Sequence, residues 1–195
     1  MCRKCYTREK VLLDKMTPIG LLMIEHGLIE RIVPILNNEL ERIDTRATVD
    51  QPVLDSAVDF RIYADRCHHG KEEDILFRVL EEKTLSEGHR VTLHELFKEH
   101  VLARRLTSQL AATDETHSTG SKECMDDIHA NLEALTKLYP THIEKEDRHF
   151  FIPCMEYFTK QEQDLMLEFH EFDRRLIHDR YGTVVENLEQ HMRRG

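Results

Sequence analysis

Residues 22–43, LMIEHGLIERIVPILNNELERI, decide the fold. Leu22, His26, Ile29, Val33, Leu36, Leu40 and Ile43 recur every three or four residues, so a helix through them has one apolar face with a histidine inside it. Thr17 followed by Pro18 predicts its start, with Thr17 as N-cap. Outward from there, DTRATVDQP at 44–52 loses the period and carries turn formers. A second helix is predicted from Leu54 to Lys83, a break at Ser86-Glu87-Gly88, and a third helix from Val91 to Ala112. After a turn from Thr113 to Ser121, a fourth helix is predicted from Cys124 to Phe151, kinked by Pro140. Thr159 to Met192 reads as a further amphipathic helix, or a helix pair broken near Gly182. No segment alternates with period two over a strand's length. The expected fold is all-α: an up-down-up-down four-helix bundle with an additional C-terminal helix. Its parts are an N-terminal extension at 1–16, the bundle at 17–156 and a helical extension at 157–195.

Composition agrees. Seven glycines and five prolines in 195 residues are about half the average share of helix breakers. With 40% hydrophobic and 33% charged residues the chain has the balance of a globular protein, and no apolar run approaches the roughly 18 residues of a transmembrane helix. The net charge is −10, and only the N-terminal decapeptide is locally basic, so there is no electrostatic footprint for nucleic acid. Five cysteines, irregularly spaced apart from Cys2 and Cys5, with no secretory apolar segment before them, point to a reducing cytoplasm rather than a disulfide framework. The unusual figure is 13 histidines against no tryptophan. It points to metal.

A His-x-x-x-Glu pair puts both side chains on one helix face. There are five: His26/Glu30, His68/Glu72, His69/Glu73, His129/Glu133 and His142/Glu146. An internal repeat chooses among them. His26 to His100 and His68 to His142 are both 74 residues apart, and the flanks agree: Leu22, Glu25, His26, Leu28, Arg31 and Leu36 match Leu96, Glu99, His100, Leu102, Arg105 and Leu110, while His68, Lys71, Glu72, Glu73 and Phe77 match His142, Lys145, Glu146, Asp147 and Phe151. At the doublet, His68 pairs with His142, whereas His69 pairs with Ile143. Midpoints between successive histidines fall at 47, 84 and 121, in or beside the expected loops, so the four histidines lie level on antiparallel helices.

Six groups therefore converge: His26, His68, Glu72, His100, His142 and Glu146. Four imidazoles and two carboxylates without thiolate suit iron, with manganese or zinc also accommodated, and one Glu per half suits two metals bridged by carboxylates. Bridged in that way, six side chains make about eight bonds of the roughly twelve that two octahedral ions offer. Positions remain for a small ligand.

The segments EH at 25–26, CHHGKEEDILF at 67–77, KEH at 98–100 and HIEKED at 142–147 resemble the hemerythrin-like HHE cation-binding proteins over about residues 17–155. The resemblance implies a hemerythrin-like bundle with two non-haem iron ions that bind O2, NO or peroxide, as in oxygen carriers, gas or iron sensors and proteins that repair iron-sulfur clusters. The chain departs from the oxygen carriers in one respect: their third helix supplies two histidines four apart, whereas His100 has Leu96 and Arg104 at those positions. That brings it nearer to the four-His, two-Glu sites of the sensing and repair members.

The expected function is a cytoplasmic di-iron protein binding a diatomic ligand or peroxide for sensing or redox and nitrosative defence, reduced by an unknown electron donor. Iron storage or delivery, cluster repair and a metal-stapled structural bundle are the alternatives, and a homodimer through the last helix stays open. His69, Glu73 and Asp147 are expected to support the ligands or face solvent, His149 to pack or face solvent, and Tyr139 to pack in the core. Cys2 and Cys5 form a CxxC beside Arg3 and Lys4, whose charges favour thiol exchange or metal capture. Cys67, Cys124 and Cys154 read as small buried hydrophobes. The remaining histidines, His89, His94, His117, His129, His170, His178 and His191, are expected mostly at the surface.

Overall fold

The computed structural model describes residues 17–115 and 121–193, and all regular structure among them is helical, without strands. Cys2 and Cys5 lie outside the described residues. Helix α1 runs Pro18–Arg46. Thr17 is extended before Pro18, as expected, but its side chain makes no capping hydrogen bond, so the start rests on proline's fixed φ. Ala47 closes α1 in the left-handed conformation, with φ 50°.

Helix α2 spans 51–81 as an α-helical part Gln51–Arg61, two π-helical runs, Ile62–His69 and Glu72–Phe77, and a last α-turn Arg78–Glu81. It starts before Leu54, because Pro52 opens the helix rather than ending a turn. Helix α3 is Glu87–Glu115. Its first turn absorbs the expected break at Gly88, with Ser86 Oγ accepting from the backbone N–H of His89. Helix α4 comprises Lys122–Glu144, the π run Lys145–Phe150 and Phe151–Cys154, and its N-cap Ser121 accepts from Cys124 N–H at 3.2 Å. The helix continues through Pro140. Helix α5, Lys160–Met192, opens on a capping box between Thr159 and Glu162 and is unbroken at Gly182. Tyr181, Val185 and Leu188, buried around that glycine, hold the chain in register there.

Helix α1 packs on α2 and α4, α3 packs on the same two, and α5 lies against α1 and α2. The stripe read from the sequence is buried throughout, from Leu22 to Ile43. Two apolar clusters form the core. One gathers Ile29, Ile32, Leu36, Tyr63, Ile128 and Leu132, and the other Leu22, Leu76, Phe77, Leu96, Phe150 and Phe151. On α1, His26 falls between Leu22 of the second cluster and Ile29 of the first; His100 sits likewise between Leu96 and Leu106. The polar groups thus make a layer between two apolar blocks, which keep water from it.

Candidate metal centre

All six residues read from the repeat are buried together: His68, Glu72, His100 and Glu146 are fully buried, His26 is 1% and His142 3% exposed. The geometry is close to two-fold. His68 Nε2 lies 3.2 Å from Glu72 Oε1, and His142 Nε2 lies 3.2 Å from Glu146 Oε2. Across the halves, His100 Nε2 is 3.2 Å from Glu72 Oε2 and His26 Nε2 is 3.1 Å from Glu146 Oε2. Each carboxylate therefore faces histidines of both halves.

The outer nitrogens are held the same way. His26 Nδ1 bonds Asp147 at 2.7 Å and His100 Nδ1 bonds Glu73 at 2.7 Å. His68 Nδ1 bonds Glu25 at 3.0 Å and His142 Nδ1 bonds Glu99 at 2.8 Å. Carboxylates only accept, so each Nδ1 carries the donated proton and each Nε2 is turned to the centre. Lys71 and Lys145 in turn donate to Glu25 and Glu99, both at 2.5 Å. Phe77 stacks on His100 and Phe151 on His26, each with centroids 5.7 Å apart. Every one of these pairs is related by the 74-residue repeat. Glu73 and Asp147 thus hold the rings of His100 and His26.

Burial alone lowers the pKa of His26, but its contacts with Asp147 and Glu146 and the charges of Glu146 and Glu72 outweigh it and raise the value to about 10. His100 follows the same balance against Glu146, Glu72 and Glu73, reaching about 11. Burial and the charge of Glu72 push Glu146 up, yet His142, His100 and His26 bring it down to about 2. The cluster is a set of mutually dependent charges.

His69 departs from the expectation. It is 1% exposed, stacks on His100 at 4.0 Å, and neither ring nitrogen has a hydrogen-bond partner. Asp65, the nearest acid, stands 3.9 Å from Nδ1. Two donor groups emerge, each with its donor atoms within 4.8 Å of one another: His26, His68, Glu72 and Glu146, and His69, Glu72, His100 and His142. The repeat mate Ile143 hid His69. Ile143 is itself buried, at 3% exposure in an α-helical stretch, so the same interior position holds a hydrocarbon in one half and an imidazole in the other.

The other candidates divide. Tyr139 is buried in the apolar core and His149 is exposed. Cys67, Cys124 and Cys154 are buried, and burial lifts the Cys154 thiol to about 12. His129, with Glu133 exposed beside it, reaches only Asp44. His178 is not a plain surface residue: its Nε2 is 2.9 Å from Glu25.

The chain gives no match among the curated proteins or among the solved structures. A family model, the Hemerythrin HHE cation binding domain, matches residues 17–152, which hold the whole donor cluster. By that match the chain belongs to the hemerythrin HHE cation-binding family.

Proposed function

We propose that this is a non-haem di-iron protein. One ion is assigned to His26 and His68, the other to His100, His142 and His69, with Glu72 and Glu146 shared between them. The observation that carries this reading is one buried layer of donor atoms that make no well-formed hydrogen bond: Nε2 of His26 and His68, which approach carboxylate oxygens to 3.1 and 3.2 Å as ion pairs only, both nitrogens of His69, and all four carboxylate oxygens of Glu72 and Glu146. A buried polar group without a partner costs about 1–3 kcal/mol, so this many in one layer calls for cations at its centre. The donor set is all nitrogen and oxygen, which suits iron and also manganese or zinc.

The order of the helices and their pairwise packing support an up-down-up-down bundle at 17–156, with α5 added to it. Iron in such a site supplies redox chemistry and a position for O2, NO or peroxide, in sensing or redox and nitrosative defence. The chain's own part is to exclude water with Phe77 and Phe151, to fix His26, His68, His100 and His142 through Nδ1 and to hold the shared carboxylates ionised. Full enclosure of the cluster favours iron as a resident group over iron as cargo. No helix among the described residues is long and apolar enough to cross a membrane, and the cytoplasm is the proposed location. The deciding experiment is metal analysis of the purified chain with optical spectra of the reduced protein under O2, NO and peroxide. About two irons per chain and ligand-dependent charge-transfer bands are expected; rapid loss of all iron to a chelator would favour cargo.

Two further results are expected. His26 and His100 hold their second protons up to about 10 and about 11, so an incoming cation must displace protons from Nε2. Because the raised pKa favours the protonated form at neutral pH, Fe(II) uptake should release protons and strengthen as pH rises from 6 to 8. Anaerobic titration in weakly buffered solution checks this. Second, His69→Ile, which copies the repeat mate, should weaken one ion and leave the other, read as two unequal affinities and one changed Mössbauer doublet.

A further inference from the structure

All of helix α5 lies beyond the residues that match the family, yet it reaches the support of one ligand. Glu25 Oε2 takes the Nδ1 proton of His68 at 3.0 Å, while its Oε1 receives Lys71 Nζ at 2.5 Å and His178 Nε2 at 2.9 Å. Glu25 is 1% exposed, and its three partners hold its carboxyl well below the usual range against the opposing effect of burial. The counterpart Glu99 holds His142 and Lys145 only, and that lysine is shared with the half-exposed Glu95 at 3.0 Å. Among the described residues no histidine occupies the third place there.

The position of His178 is built. Its ring meets Tyr63 edge-on at 5.6 Å, and Tyr63 packs on Tyr181 of the same helix at 5.3 Å. Farther along α5, Glu189 takes two hydrogen bonds from Arg31, at 2.8 and 3.1 Å. Helix α5 is thereby pinned to α1, which carries both Glu25 and His26.

We infer that His178 is a positioning residue for His68, through which α5 sets how firmly the His26/His68 ion is held relative to its neighbour. The inference rests on the two-ion reading. A carboxylate held by three donors keeps one orientation, and the imidazole it binds keeps its Nε2 aimed at the ion. With two donors both loosen. Loss of such a supporting partner typically costs about 10- to 100-fold in metal affinity, and here it should fall on one ion of two.

The test uses the full chain loaded anaerobically with two equivalents of 57Fe(II). Iron release to a ferrous chelator is followed by stopped flow and Mössbauer spectra are recorded. His178→Phe keeps a ring against Tyr63 and removes the donor; His178→Ala removes both without added volume; His178→Gln returns an N–H donor. The expected result is two release phases, with the one-iron phase belonging to His26/His68 faster by about 10-fold or more in the Phe and Ala chains. That phase recovers in the Gln chain, and Glu99→Ala accelerates the other phase. Both phases moving together, neither moving, or no recovery with Gln overturns the inference. A wild-type chain that takes up fewer than two irons overturns the two-ion reading instead, before any variant is made.

Discussion

Glu72→Ala is expected to take the chain from about two bound ions to one or none, while Glu73→Ala retains both with weaker affinity. The two acids are adjacent in sequence but occupy different places. Glu72 is fully buried, with Oε1 at 3.2 Å from His68 and Oε2 at 3.2 Å from His100, so it belongs to both donor groups. Removing it deletes one donor from each and leaves His68 and His100 without the carboxylate that balances them. Glu73 touches His100 at Nδ1 and is itself held by Arg104 at 2.8 Å; its loss should stay within the roughly 10- to 100-fold of a supporting partner. Equilibrium dialysis with metal analysis distinguishes the two, and anomalous diffraction places the ions. Equal losses would mean that Glu72 is not shared.

Iron loading is expected to raise the thermal midpoint by about 10 °C or more over the chelator-stripped chain. Ligand binding only to the folded state adds about 4 kcal/mol at a thousandfold excess over Kd, and for a chain of this size each kcal/mol is worth roughly 2–4 °C. The physical source is local. Stripped of cations, the layer keeps Glu72 and Glu146 together, and although burial and the charge of Glu72 push Glu146 up, His142, His100 and His26 outweigh them and bring it down to about 2. Cations at the centre replace the imidazole protons as partners of these carboxylates and tie the four helices to one another through their ligands. Scanning calorimetry of stripped and reloaded protein measures the difference, and identical midpoints would show that the cluster holds no ion in the folded chain. Glu72→Ala should lose most of the gain on loading, whereas Glu73→Ala should keep it at saturating iron.

Much of this was legible in the chain itself. The apolar stripe from Leu22 to Ile43 predicts a helix because burial needs one continuous face, and all of it is buried. The 74-residue repeat brings His26, His68, Glu72, His100, His142 and Glu146 together, because level positions on neighbouring helices follow from spacing alone. It also carries the supporting pairs, Glu25 with Glu99 and Lys71 with Lys145. Tertiary structure decided what breaks that symmetry. His69 is stacked on His100 beside the donor cluster, where its repeat mate Ile143 joins the apolar core, a difference that helical spacing does not report. Proline at 52 and glycine at 88 and 182 read as breaks but lie within helices, where their position relative to the helix start or the buried neighbours outweighs local preference. His178 reaches Glu25 from 153 residues away. Spacing along a chain determines which side chains share a helix face, but which distant helix docks on that face depends on how the packed surfaces fit.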